Sequence, residues 1–322
     1  MLNVQEAAQF LRERDRFLIL THVRPDGDTV GCAAALCAAL RQLGKAAFLL
    51  PNPGLTRNSA PYFAPYAAAD GYAPETVLSV DIATLGLLPE NARALAGRID
   101  LAVDHHPSFE FIGRENMLRA EAAACGELVY DLVRELGPVT PEIALPLYLA
   151  VSTDTGGFIY SNTTAQTHRV AATLIDCGID YQRINKDFFR TKSRKRLQLE
   201  GAMLDTMEFY DRGRVVLLYV PQALIERVGA DEGDAEDLSS LGGQIEGTDC
   251  AVTLRELGQN VWKMSVRTGP RINATQVCQL LGGGGHAAAA GCTVSASREE
   301  ARQQILGAIA AVAADFVPGP EG

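Results

Sequence analysis

The sequence predicts an α/β protein of two domains. The first is an N-terminal domain whose mostly parallel sheet is covered by helices, and the second is a smaller α+β domain. Three observations carry this reading. The chain has 322 residues, more than one ordinary domain uses. Short apolar strand patterns alternate with Ala- and Leu-rich helical patterns through the first half, as in a parallel sheet buried on both faces. After a polar, basic stretch, strands with polar breaks take over.

The first strand is 17–20, Phe-Leu-Ile-Leu, followed by an Ala/Leu helix at 31–43. Strands follow at 46–50, 77–80 and 101–103, and helices at 121–136, 141–151 and 164–177. Thr140 and Pro141 suit the N-cap and first position of the 141–151 helix. Residues 182–207 read as one or two polar helices rich in Arg and Lys, from Arg183 to Arg196, and serve as a connector. The basic run is a solvated face or a surface that draws in short polyanions. Beyond it come strands at 215–220, 251–256 and 261–266, a helix at 273–281 and a last helix at 297–313, where Ser297 and Glu300 have capping-box spacing. The tail from Pro318 to Gly322 reads as frayed. The expected organisation is a domain at 1–182, linker helices at 183–210 and a second domain at 211–322.

A hydrophobic fraction of 47% and a charged fraction of 21% exclude a disordered chain or a coiled coil. No basic-then-apolar leader opens the sequence, and no run approaches roughly 18 apolar residues, so a cytoplasmic protein without membrane contact is expected. Seven cysteines, an odd number without a CxxC pair, argue against a disulfide framework or a thiolate zinc site. The net charge of −10 argues against coating long duplex DNA. Carboxylates gathered to hold cations would also raise the acidic count, and two divalent ions would bring −10 to −6.

Four acidic or imidazole motifs sit where predicted elements end, the place where open α/β sheets build sites. They are His22-x-x-x-Asp26-x-Asp28, Asp81, Asp104-His105-His106, and Asp154. Asp26 and Asp28 flank Gly27, so a bent loop could turn both carboxylates to one centre. A lone strand-end Asp is usually a cap or turn former. Here, however, three of only five histidines lie beside such carboxylates. Imidazoles and carboxylates without thiolate suit Mn²⁺, or Mg²⁺, Co²⁺ and Fe²⁺. Six protein donors exceed the needs of one open ion but fit two ions sharing a bridging carboxylate, an arrangement that activates water as hydroxide for attack at phosphorus. Gly282 to Gly285 followed by His286 offers backbone amides to an anion, and Arg267 is a partner able to grip a phosphate. Phe158 and Tyr160, just after Asp154, could meet a base, with a core role favoured for Phe158; His168 reads as a helix-surface or packing histidine.

With these motifs in this order, the chain resembles the DHH/DHHA1 phosphoesterase family over nearly its whole length. It looks most like that family's oligoribonucleases (nanoRNases) that also dephosphorylate 3′-phosphoadenosine 5′-phosphate (PAP). The resemblance implies a DHH domain, a linker helix and a DHHA1 domain with the active site in the cleft between them. It also implies that His22 and Asp26 hold one Mn²⁺, that Asp28, His105 and Asp154 hold the other, and that Asp81 bridges them. His106 would contact the phosphoryl group and protonate the leaving oxygen, with Asp104 orienting an imidazole. Arg267, Gly283, Gly284, Gly285 and His286 would hold the terminal phosphate. Cys32 stands where Ser is common, Phe109 where Asn is frequent, and the run Ala287 to Ala290 lacks the basic or polar residue that several relatives carry within two positions of the His. The implied substrates are short oligoribonucleotides and PAP, and relatives commonly form homodimers. Linear or cyclic dinucleotides such as pApA, or single-stranded DNA as for RecJ-like exonucleases, are the alternatives. From another class, an inert nucleotide-binding regulator is disfavoured by the complete donor set.

Overall fold

The computed structural model describes residues 1–231, 233–235, 238–313, 315–317 and 319. Of the tail read as frayed, Pro318 and residues 320–322 lie outside the described residues. The chain divides into two compact units, Met1–Thr191 and Lys192–Gly322.

The first unit opens with helix α1 (Val4–Arg12), strand β1 (Phe17–Leu20) and helix α2 (Gly27–Gln42). Next come β2 (Ala47–Leu49), the short α3 (Ala60–Phe63), β3 (Thr76–Val80), β4 (Ile99–Asp104) and β5 (Glu115–Leu118). Helices α4 (Cys125–Leu136), α5 (Pro141–Asp154), α6 (Ala165–Asp176) and α7 (Tyr181–Phe189) complete it. The sheet runs β2-β1-β3-β4-β5, and every pairing is parallel. Its strands are nearly continuous apolar runs because both faces are covered.

Helix α2 is the centre of this unit. Every residue from Gly27 to Leu40 is buried, which small Ala, Gly and Cys side chains permit. A Cβ at Gly31 would collide with the Pro146 carbonyl oxygen and fall 2.8 Å from the Ala150 Cβ, so α2 and α5 touch backbone to backbone there. Gly126 on α4 meets the same Ala150, where an added Cβ would come within 2.8 Å.

Several boundaries differ from those read in the sequence. Helix α2 begins at Gly27, not residue 31. Asp26 is its N-cap and accepts from the Asp28 and Thr29 amides, so Asp26 and Asp28 stand on a helix start rather than a bent loop. Helix α5 runs on to Asp154, and Thr140 makes no side-chain capping bond. Helix α1 was not anticipated, although Asn3 and Glu6 form a capping box at its start. Strand β5 was missed as well, since Glu-Asn-Met-Leu has little strand propensity and pairs only at the sheet edge.

The second unit contains α8 (Arg194–Leu204), β6 (Glu208–Tyr210), β7 (Val215–Val220), α9 (Gln222–Val228), β8 (Cys250–Gly258) and β9 (Val261–Thr268). It ends with α10 (Ala274–Gln279), β10 (Gly284–His286), β11 (Ala289–Ser295) and α11 (Arg298–Val312). The sheet order is β10-β11-β9-β8-β7-β6, with β7–β8 its one parallel pair. One face packs Tyr219, Val252 and Met264 against Ile305 and Ile309 of α11. The other packs Val216 and Leu218 with Leu199 and Met203 of α8. The stretch read as a connector is divided, with α7 closing the first unit and α8 opening the second.

Candidate active site

The C-terminal ends of β1, β3 and β4 lie side by side in the parallel sheet, which brings their following residues together. His22 comes two residues after β1, Asp81 directly after β3, and Asp104, His105 and His106 at and beyond the end of β4. Asp26 and Asp28 arrive on the first turn of α2, and Asp154 on the last turn of α5.

Asp81 is the hub. Its backbone adopts φ 58, a left-handed conformation that Asp tolerates better than most residues. Its amide still donates to Val103 at 2.9 Å, so the turn leaves the sheet immediately beyond the ladder. The side chain is buried, and its two oxygens face different imidazoles. Oδ2 lies 3.9 Å from His22 Nε2, and Oδ1 lies 3.6 Å from both His105 Nε2 and His106 Nδ1. Oδ1 is fully buried and has no hydrogen-bond partner among the described residues.

Around it the donors form overlapping sets. His22, Asp26 and Asp81 make one, and Asp28, His105 and Asp154 another; Asp81, His105 and His106 also cluster. His22 Nε2 is 3.5 Å from Asp26 Oδ2, and His105 Nε2 is 3.5 Å from Asp154 Oδ2 and 3.9 Å from Asp28 Oδ2. Burial and the neighbouring carboxylates push Asp28 and Asp81 well above the ordinary carboxylate range, and burial and Asp26 push Asp154 up to about 7. Negative charge packed this closely calls for cations, and the orphaned Asp81 oxygen offers a free lone pair to one. The donor set fits divalent ions that prefer carboxylate and imidazole.

The imidazoles are fixed from behind. His105 Nδ1 lies 3.1 Å from the Ala122 carbonyl, which leaves Nε2 facing the carboxylates. Burial holds the His105 pKa below its ordinary value. His106 differs, because Asp104 Oδ1 accepts from both its backbone amide and its Nδ1 at 2.7 Å. That hydrogen bond raises the His106 pKa.

Sequence reasoning missed two groups at this site. The Cys125 and Gly126 amides donate to Asp28 at 2.7 and 2.9 Å, and the Cys32 thiol donates to its Oδ1 at 3.3 Å. Asn162 donates to the carbonyls of Ala123 and Asp154. Backbone donors carry no sequence signal, and an Asn in a turn is ordinary. Phe158 is a packing residue, 6.0 Å from the Tyr148 ring and stacked on His168 at 5.4 Å. Tyr160 is exposed, its ring lying over Gly156 where an added Cβ would come within 2.5 Å.

In the second unit, the glycine segment is not a free loop. Gly284–His286 forms β10, paired antiparallel with β11. Arg267 is the last residue but one of β9, which runs two residues past the strand read at 261–266. The register places His286 opposite Ala289, and Ala289 opposite Arg267. Residues directly opposite share a face, so His286 and Arg267 flank the small Ala289 in one row, about 10 Å apart across two strand spacings.

The comparisons follow this division of the chain. The DHH family N-terminal domain model matches residues 16–151, and the DHHA1 domain model matches residues 215–315. A Thermus thermophilus protein named bifunctional oligoribonuclease and PAP phosphatase NrnA is 32% identical over 298 residues, 90% of this chain and 88% of that one. The Bacillus subtilis protein of the same name is 25% identical over 87% of this chain and 90% of its own. A crystal structure described as an exopolyphosphatase-related protein from Bacteroides fragilis superposes with a TM-score of 0.86 at 24% identity, covering 95% of each chain. An exonuclease RecJ structure bound to manganese has a TM-score of 0.51 at 16% identity, covering 97% of this chain and 94% of that one. With both family domains matched in order and a relative of this similarity along nearly the full length, the chain belongs to the DHH/DHHA1 family of phosphoesterases.

Proposed function

We propose that this chain is a metal-dependent phosphohydrolase that degrades short oligoribonucleotides to mononucleotides and dephosphorylates PAP to AMP. The observation that carries the reading is Asp81, whose two oxygens face different imidazoles and one of which is buried without a partner. Such a carboxylate suits a bridge between two cations, with His22 and Asp26 on one side and Asp28, His105 and Asp154 on the other. The names of the Thermus and Bacillus relatives support the substrates. The same reading takes Mn²⁺ as the ion, with Mg²⁺ or Co²⁺ as substitutes, and includes a homodimer. Seven free thiols, six of them buried, suit a reducing, cytoplasmic setting. Among the described residues, no helix is long and apolar enough to cross a membrane.

Divalent ions held by these residues would supply Lewis acidity and lower the pKa of a water for in-line displacement at phosphorus. His106, with Nδ1 engaged by Asp104, presents Nε2 as its proton-carrying nitrogen, and the Asp104 hydrogen bond, which raises its pKa, favours the protonated ring. It is the group to protonate the leaving oxygen. Arg267 and His286, with the backbone of Gly283, Gly284 and Gly285 leading into His286, hold the terminal phosphate of the substrate.

The test is hydrolysis of a labelled RNA ladder, dinucleotide to 24-mer, with PAP alongside, by chelated protein resupplied with Mn²⁺. Rapid loss of the shortest RNAs and AMP release from PAP are expected, and Asp81→Ala should abolish both. Full activity of Asp81→Ala would overturn the two-ion reading. Preference for long single-stranded DNA would move the function to an exonuclease of RecJ type.

A further inference from the structure

We infer that Asn162 is a positioning residue that assembles one of the two ion sites, the set formed by Asp28, His105 and Asp154, and has little hold on the set formed by His22, Asp26 and Asp81. The inference rests on the two-ion reading above.

The argument starts from the five-residue segment Ala122–Gly126, which leads into α4. Its Ala122 carbonyl contacts His105 Nδ1 at 3.1 Å. Its Cys125 and Gly126 amides donate to the two oxygens of Asp28 at 2.7 and 2.9 Å. One short piece of backbone therefore aims two of the three donors. The third, Asp154, belongs to the end of α5 and makes no bond to that segment. Asn162 supplies the connection. Its Nδ2 donates to the Ala123 carbonyl at 2.9 Å and to the Asp154 carbonyl at 3.1 Å. An amide nitrogen carries two hydrogens, so both bonds form at once. The side chain thereby ties the backbone of Asp154 to the segment that holds Asp28 and His105.

His22, Asp26 and Asp81 depend on none of these contacts. Asp26 is held by the amides of α2, and the Asp81 backbone by Val103. Loss of the Asn162 amide should therefore weaken one ion and spare the other. Asn162 is itself exposed, so its truncation opens no cavity in the core.

The experiment is calorimetric Mn²⁺ titration of the full chain after chelation, with low-temperature electron paramagnetic resonance to read spin coupling between paired ions. Wild type should bind two ions and show the coupled signal. Asn162→Ala should keep one affinity within about twofold and weaken the other by roughly 10- to 100-fold, the usual range for groups behind a ligand. It should show an uncoupled spectrum at concentrations where wild type is paired. Asn162→Asp, which keeps the shape but turns a donor into an acceptor against two carbonyls, should lose the same ion. Asn162→Gln, which keeps both hydrogens, should recover it at least in part. Wild-type affinities and coupling in both Asn162→Ala and Asn162→Asp would overturn the inference, as would equal weakening of both ions. A wild type that binds fewer than two ions would instead strike down the two-ion reading itself.

Discussion

Asp28 and Cys125 are 97 positions apart, yet the Asp28 carboxylate accepts the Cys125 amide at 2.7 Å and the next amide, of Gly126, at 2.9 Å. The residue at the N-cap of α4 is Ala124, which has no side chain to cap with. Asp28 does so from another helix, and a candidate cation donor thereby also holds together two parts of the core. The two roles separate by substitution. Asp28→Asn keeps one acceptor and should fold while losing at least about 100-fold in turnover. Asp28→Ala should lose turnover and also, relative to Asp28→Asn, about 1–2 kcal/mol of stability, the usual cost of a lost cap. Thermal unfolding of chelated protein beside a turnover assay reads both.

Packing around α2 leaves no room for growth. Gly31→Val would drive a side chain into the Pro146 carbonyl and Ala150. The helices must part, at a cost of about 1–3 kcal/mol or more. Because α2 carries Asp26 and Asp28 while α5 carries Asp154, Mn²⁺ affinity should fall together with the unfolding midpoint. An unchanged midpoint would show that the two helices can slide without strain.

The carboxylate cluster should make the metal-free protein sensitive to alkali. Asp154, Asp28 and Asp81 have folded pKa values raised above their unfolded ones, to about 7 for Asp154. Stability is then full below the unfolded value, about 4, and is lost as pH rises through the folded values. His106, also raised, acts in the same direction, whereas His105, depressed, opposes it. The unfolding midpoint of chelated protein should fall between pH 5 and 8, and added Mn²⁺ should reverse the loss. Asp81→Asn removes one charge, so the chelated variant should be more stable than wild type at pH 8 although inactive. A flat midpoint in chelated wild type would show that the cluster carries no such strain.

Gly285 sits at φ 145, where only glycine is at ease, and an added Cβ would lie 2.6 Å from the Ala289 carbonyl oxygen. Gly285→Ala should pry β10 from β11 and move His286 relative to Arg267. We expect KM for PAP to rise about tenfold or more, as it should in Arg267→Ala, with Mn²⁺ binding unchanged. A pure fall in kcat in both variants would place these residues outside substrate binding.

The candidate site residues are legible in the sequence because carboxylates and imidazoles at the ends of apolar runs stand out locally. His22, Asp26, Asp28, Asp81, His105 and Asp154 all converge in the structure. What holds them is written elsewhere. The start of α2 is obscured because Gly27 and Asp28 are poor helix formers, and only the capping bonds of Asp26 show that the helix has begun. The donors on Asp28 are backbone amides from another helix, and Asn162 acts through two carbonyls, so neither leaves a compositional trace. Strand β10 runs Gly-Gly-His, a sequence with no strand propensity, and exists through its ladder with β11.

The contact of Gly31 and Gly126 with Ala150 also constrains how this lineage can change. Three helices meet at one methyl group, and enlarging any of the three residues displaces the other two. Positions 31, 126 and 150 should therefore covary, with any compensated exchange involving more than one of them at a time. Exposed faces such as those of α7 and α11 carry no such coupling and are free to diverge. Drift at the surface can accumulate while the spacing between Asp28 and Asp154 stays the same.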